Sequence, residues 1–283
     1  MTGRCDLHTH SIYSDGTLSP AELLCLAEEK GVSAVALCDH NTVAGLPEFL
    51  DAAKKSNVEA VPGAEFSSEY KGGELHILGL FIEPEHYDAV KEKMEQMLIR
   101  KEEKNLELLE ALRHAGIDLD YGAIKAGTPG GQVNRAVIAA EMVRKGYCES
   151  IKEAFSKWLG SKCGYYHPPQ RPDAFEMIRF IKSIGAVAVL AHPFLNLNEA
   201  ELCEFLHDAV AAGLDGMEVY YSTFTAEQTL LAKKIADRFG LLYSGGSDFH
   251  GANKPDIQLG SGKGNFHIDC GTLKKLVKRH MSM

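Results

Sequence analysis

Residues 4–17 read RCDLHTHSIYSDGT. The run RCDLH has the short apolar alternation of a β-strand, and it ends in His8-Thr9-His10, whose alternate side chains leave the strand on one side. Two imidazoles placed that way can be aimed at a single metal ion. Asp15 follows in the turn before Gly16. An aspartate there is a common turn residue, and it is equally an oxygen donor beside two histidines.

Working outward, strands are expected at 4–8, 34–39, 59–65, 75–82, 186–191, 216–221 and 241–246, and helices at 19–30, 45–55, 172–184, 199–212 and 225–239. Pro20 opens the first helix, where its missing N–H costs nothing. Gly31, Gly185, Gly213 and Gly240 fall just past helix ends, where a left-handed residue is wanted. Strands alternating with helices build an α/β fold around a parallel sheet or barrel, and seven strands in that order favour the barrel.

Between Pro84 and about Cys163 the strand pattern stops and a long helical pattern takes over, followed by more helix and the turn Thr128-Pro129-Gly130-Gly131. Residues 84–163 are therefore expected to form a helical insertion that caps the substrate, with 1–83 and 164–283 forming the barrel. The basic tail LKKLVKRHMSM is expected to be a solvated terminal helix.

Composition narrows the function. A chain of 283 residues, 45% hydrophobic and 24% charged, can bury a sizeable core. A net charge of −9 and a pI near 5.7 argue against binding long nucleic acid, which relies on an extended basic footprint. The seven cysteines are an odd number without a C-x-x-C pair, so neither a disulfide framework nor a zinc knuckle is suggested. No apolar leader or membrane-length apolar run is present, and a cytoplasmic location is expected.

The metal-type residues fall where an α/β barrel builds its active site. His8 and His10 end the first expected strand, Asp39 and His40 the second and Glu65 the third. His76 opens the fourth, His192 ends the fifth, and Asp248 and His250 follow the seventh. Strand C-terminal ends share one barrel face, so residues distant in sequence meet there. A buried imidazole or carboxylate is costly alone, whereas a shared cation satisfies several at once. His86, His114, His207 and His280 lie in helical or terminal segments, where a surface or satisfied core role is the ordinary one.

The motifs DLHTHSxxSDGT at 6–17, LCDHNT at 37–42, GAE at 63–65, HILG at 76–79, AHP at 191–193 and SGGSDFHG at 244–251 together resemble the polymerase and histidinol phosphatase (PHP) family. The match is closest to its phosphoesterases with a helical insertion, which act on nucleoside 3′,5′-bisphosphates or on 5′ ends of short RNA. The resemblance implies a distorted seven-stranded (β/α)7 TIM-like barrel and a centre of two to three divalent ions (manganese, iron or zinc). It implies that His8, His10, Glu65 and Asp248 hold one ion and that Glu65, His76 and His192 hold a second. Asp15, His40 and His250 would hold the third. Glu65, Asp248 and His192 are then the residues on which catalysis depends, and Asp6 and Asp39 are expected to orient ligand histidines. In the insertion the family pattern Arg-Pro-His-x-Ala is met by Arg135-Ala136-Val137-Ile138-Ala139, which keeps the arginine and replaces the histidine with Val137.

In the helical pattern at 88–113 an apolar stripe runs through Met94, Met97, Leu98, Leu108, Leu109 and Leu112, interrupted by Lys101, Lys104 and Asn105. Either the helix leaves its packing partner there, or these groups face a substrate. With Arg135 they are candidate substrate-binding residues, the cations for a distal phosphate. The expected activity is hydrolysis of a phosphate monoester of a small nucleotide-like substrate by metal-bound hydroxide. Alternatives are a 5′-3′ exonuclease on short oligonucleotides, a non-catalytic metal-binding module, and an amidohydrolase. The ligands Asp15, His40 and His250 favour phosphate over the last. Whether His267 acts as a general acid is left open by the sequence.

Overall fold

The computed structural model describes residues 3–128, 131, 133–160, 162–167, 171–264 and 266–283, without the side chains of Gln96 and Leu98. Pro129 and Gly130 of the expected turn, and Leu98 of the expected stripe, lie outside what is described. By contacts the chain divides into two compact units, Met1–Lys91 with Arg171–Met283, and Glu92–Gln170.

The first unit is built on one seven-stranded sheet: β1 (Arg4–Thr9), β2 (Val32–Leu37), β3 (Glu59–Tyr70), β4 (Gly73–Leu80), β5 (Val187–Leu190), β6 (Gly216–Tyr221) and β7 (Leu242–Gly246), paired in sequence order. β1–β2–β3 and β5–β6–β7 are parallel, while β4 is antiparallel to both neighbours. The ends of the sheet meet at the predicted metal residues. Thr9 bridges Phe249, the Asp248 N–H donates to the His8 carbonyl at 2.9 Å, and the His10 N–H donates to the Phe249 carbonyl at 2.9 Å. Gly246 is required at this seam, since a Cβ there would lie 2.4 Å from the His8 backbone nitrogen.

Helices α1 (Pro20–Glu29), α2 (Leu46–Ala53), α7 (Ala174–Ser183), α8 (Glu199–Ala212) and α9 (Ala226–Phe239) match the expected ones within two residues at each end. Ser19 with Glu22, Asn198 with Glu201 and Thr225 with Gln228 close capping boxes at three of their N-termini. Gly213 and Gly240 adopt the left-handed conformation past α8 and α9.

Two expectations are corrected. The third strand does not stop at Glu65 but continues to Tyr70 and turns back through Lys71 and Gly72, both at positive φ, into β4. A hairpin thus joins β3 to β4, which is why β4 is antiparallel. The basic tail forms α10 (Cys270–His280), whose face of Cys270, Leu273 and Leu276 is buried in the core with Leu7, Val61, Leu80 and Val187. Its lysines take the outer face, so the helix is amphipathic rather than fully solvated.

The second unit is helical, containing most of α3 (Tyr87–His114), with α4 (Tyr121–Gly127), α5 (Arg135–Arg144) and α6 (Ile151–Ala154). Leu108, Leu112, Ile138, Ala139, Met142 and Leu159 form its core.

Candidate metal centre

Backbone pairing fixes the candidate ligands before their side chains meet. His8 and His10 are pinned to the backbone of Asp248 and Phe249 just past β7, and Asn41 and Asp39 exchange hydrogen bonds with the backbone of Glu65, with His40 bridged to it. The Ala191 N–H donates to the His76 carbonyl at 3.0 Å. Because β4 runs antiparallel, His76 near its start reaches the rim that parallel strands reach at their C-terminal ends. His192 (φ 27°) and Asp248 (φ 55°) sit in backbone conformations that non-glycine residues rarely adopt, a strain commonly held at functional sites.

All nine predicted ligands come together. The six imidazoles form a continuous cluster, with ring centres 4.1 Å apart for His10 and His250, 4.6 Å for His10 and His40, 5.2 Å for His40 and His76, 5.2 Å for His76 and His192, and 5.8 Å for His8 and His192. Glu65 stands among them. Its Oε1 lies 2.8 Å from His76 Nδ1 and 3.0 Å from His192 Nε2, and its Oε2 lies 3.2, 3.3 and 3.1 Å from His8 Nε2, His10 Nε2 and His40 Nδ1. Asp248 Oδ1 is 3.2 Å from His10 Nε2. Asp15 Oδ1 is 3.1 Å from His250 Nε2, and its Oδ2 is 3.8 Å from His40 Nε2.

Whether these residues suit a cation is tested by their unsatisfied atoms. Among the described residues, His8 Nε2, His10 Nε2, Asp15 Oδ1 and Glu65 Oε2 are buried without an aligned hydrogen bond, although each faces another of the set at close range. An unpartnered buried polar atom costs roughly 1–3 kcal/mol, and four in one place are accounted for by ions shared between them. Three overlapping groups have donor atoms close enough to share an ion: His10, Asp15, His40 and His250; His8, His10 and Glu65; and His40, Glu65 and His76.

The electrostatics are those of a coupled cluster. Burial opposes the charge on Glu65, yet His40, His76 and His8 around it hold its carboxyl well below the usual range. Burial likewise opposes charge on Asp248, which His10, His8, His250 and Lys254 outweigh. Burial lowers His10 and His76, but neighbouring carboxylates raise them to about 9 and about 10. His40 is depressed to about 3 because burial prevails there over Glu65 and Asp15.

The supports differ from those expected. Asp6 accepts from the His8, Ser247 and Gly260 backbone and the Ser247 hydroxyl, and Asp39 from Ser11 and from Ser14, whose hydroxyl lies 3.4 Å from His10 Nδ1, so both support ligand histidines through backbone or an intervening serine rather than by touching an imidazole. Burial pushes both above the ordinary carboxylate value. The carboxylates that face ligand imidazoles are Glu218, 3.1 Å from His8 Nδ1, and Glu74, 3.1 Å from His76 Nε2 and 2.8 Å from Arg171. The Tyr221 hydroxyl and Lys254 ammonium both donate to Asp248 Oδ2 at 2.7 Å. Glu218 carried a sequence signal, a charged residue in an otherwise apolar strand. Lys254 and Tyr221 carried none.

Other candidates have partners elsewhere. His86, His114, His207 and His280 lie by Glu85, Glu110, Asp208 and Glu83. Within the helical unit, Arg135 donates to the Leu159 carbonyl at 3.1 Å and lies over the Tyr166 ring at 4.1 Å. Lys104 pairs with Glu107, and Asn105, 3% exposed, donates to the Val133 carbonyl at 3.0 Å. Asn105 thus continues the buried stripe as a satisfied polar residue. No helix among the described residues is long and apolar enough to cross a membrane.

The chain is 36% identical over 88% of its length to a 5′-3′ exoribonuclease of Haemophilus influenzae, 91% of which is covered. It is 28% identical to a 3′,5′-nucleoside bisphosphate phosphatase of Chromobacterium violaceum, with 90% of each chain covered. A Bifidobacterium adolescentis protein provisionally assigned as a metal-dependent phosphoesterase superposes with a TM-score of 0.85 at 28% identity, over 97% of this chain and 96% of its own. The model of the PHP domain matches residues 6–162. On that match and the rim of histidines and carboxylates it accompanies, the chain belongs to the PHP family.

Proposed function

We propose that this protein is a metal-dependent phosphoesterase that hydrolyses a phosphate monoester of a small nucleotide-like substrate, such as a nucleoside 3′,5′-bisphosphate. The observation that carries the proposal is the set of four buried, unpartnered donor atoms within the cluster of nine: His8 Nε2 and His10 Nε2 facing Glu65 Oε2, and Asp15 Oδ1 facing His250. His8, His10, Glu65 and Asp248 would hold one cation, Glu65, His76 and His192 a second, and Asp15, His40 and His250 a third. Manganese, iron and zinc all suit nitrogen and carboxylate donors. When bound, such ions supply a hydroxide at neutral pH and neutralise phosphoryl oxygens.

The chain's own groups do the positioning. Glu65 presents one oxygen to His76 and His192 and the other to His8, His10 and His40, the disposition of a bridging ligand. Tyr221 and Lys254 occupy Asp248 Oδ2 and leave Oδ1 turned to the histidines. Lys254 remains 41% exposed and adds positive charge beside the centre. Arg135, with Lys101 and Lys104, is assigned a distal phosphate.

Identity to the Haemophilus enzyme favours a second reading, 5′-3′ removal of nucleotides from short RNA. Incubating manganese-reconstituted protein with a nucleoside 3′,5′-bisphosphate and with a 5′-phosphorylated oligoribonucleotide separates the two. Release of inorganic phosphate from the first supports the phosphatase, release of mononucleotides from the second supports the nuclease, and turnover of neither rejects both.

A further inference from the structure

Glu218 lies at the centre of β6, fully buried, and each of its oxygens is committed. Oε1 is 3.1 Å from His8 Nδ1, and Oε2 accepts the backbone N–H of His192 at 2.7 Å. Along β6 alternate side chains point inward, which places this carboxylate inside the barrel beneath two candidate ligands from β1 and β5. His8 Nε2, on the far side of the ring, is one of the buried atoms without a hydrogen-bond partner and is 3.2 Å from Glu65 Oε2.

We infer that Glu218 is a positioning residue that sets the tautomer of His8 and holds the His192 turn, so that both imidazoles are ready to ligate. The inference rests on the metal-centre reading above. A carboxylate has no proton to offer, so the contact with Nδ1 is made by an Nδ1–H; Nε2, which faces the Glu65 carboxylate at 3.2 Å, is then the nitrogen that gives up its proton and offers a lone pair when a cation enters the cluster. The second oxygen takes the only donor that the His192 backbone offers, at a residue whose φ of 27° needs an external hold.

Glutamine at this position has nearly the same shape and the opposite consequence. The His192 N–H is a fixed donor, so the glutamine carbonyl must accept from it, which turns the amide NH2 toward His8 Nδ1. That nitrogen must then be the acceptor, the ring proton moves to Nε2, and Nε2 can no longer bind a cation. Glu218→Gln should therefore weaken uptake of zinc, used as the probe, by roughly 10–100-fold, the usual effect of losing a carboxylate behind a ligand histidine.

The test is a double-mutant cycle with zinc titration of the metal-free full-length protein. If Glu218 acts through His8, the Glu218→Gln/His8→Ala double variant binds zinc no more weakly than His8→Ala alone. Additive losses, or unchanged zinc binding in Glu218→Gln, overturn the inference. A measurement on unaltered protein guards against a variant that does not fold. In zinc-loaded protein with 15N-labelled histidine, the resonances of His8, assigned by their loss in His8→Ala, should show Nδ1 protonated and Nε2 bound to metal. Nδ1 on the metal, or a proton on Nε2, contradicts it. Failure of the unaltered protein to take up zinc, manganese or iron would overturn this inference and the metal-centre reading together, whereas normal uptake with an unaffected Glu218→Gln overturns this inference alone.

Discussion

Asp248 divides its two oxygens between different tasks. Oδ2 is taken by Tyr221 and Lys254, and Oδ1 faces His10 at 3.2 Å and His250 at 3.3 Å. Asp248→Ala removes an anionic ligand and leaves His8, His10, His250 and Lys254 without their shared counterpart, so phosphatase kcat/KM should fall by at least about 100-fold, with loss of bound metal. Retained activity at full metal content would refute the assignment. Proton linkage gives a second prediction at this scale. In the metal-free protein His10 and His76 are raised to about 9 and about 10, so at neutral pH both hold protons that a ligating nitrogen must shed. Metal binding then releases protons, and affinity should rise with pH up to that range. Zinc titrations at about pH 6 and about pH 8 should show tighter binding at the higher value, and equal affinities would contradict the linkage.

Among the elements, the strands and the helices of the second unit show what sequence patterns carry and what they do not. The first, second, fifth and seventh strands were legible because short apolar runs lead, within two residues, into a histidine or aspartate. The hairpin between β3 and β4 was not, because Ser67, Ser68 and Glu69 look like a loop after Glu65, and only pairing with His76, Leu75 and Glu74 makes them strand. Likewise, sequence spacing marked Asn105 as exceptional but could not show the Val133 carbonyl that satisfies it across the helical unit. Two substitutions test these elements. Gly246→Ala at the β7–β1 seam places a Cβ against the His8 backbone, and overpacking of this kind costs ~1–3 kcal/mol or more, so a clear drop in thermal midpoint is expected. A midpoint unchanged from the wild type would show that the seam is not close-packed. Arg135→Ala removes a cation–π contact and a hydrogen bond, about 1–2 kcal/mol of stability in the helical unit. If Arg135 also holds a distal phosphate, kcat/KM for a nucleoside bisphosphate should fall roughly tenfold to hundredfold, with little change for an aryl monophosphate. Equal losses on both substrates would leave it a purely structural role.

For the whole molecule, the nine ligand candidates are spread from His8 to His250 and yet lie on one rim of a seven-stranded sheet. That convergence was readable in advance because barrel topology sends strand ends to one face. The carboxylates behind the ligands were less so: Glu218 stands out as a charge in an apolar strand, but its partners His8 and His192 lie outside that strand, and Glu74 meets His76 two residues along its own strand without any motif to mark it. The direct test of the account is metal analysis of purified chain after removal of bound metal and reconstitution with manganese, with phosphate release measured on the same samples. Two to three ions per chain, with activity appearing and vanishing as they are added and removed, is the predicted result; a stoichiometry below one ion per chain would contradict it.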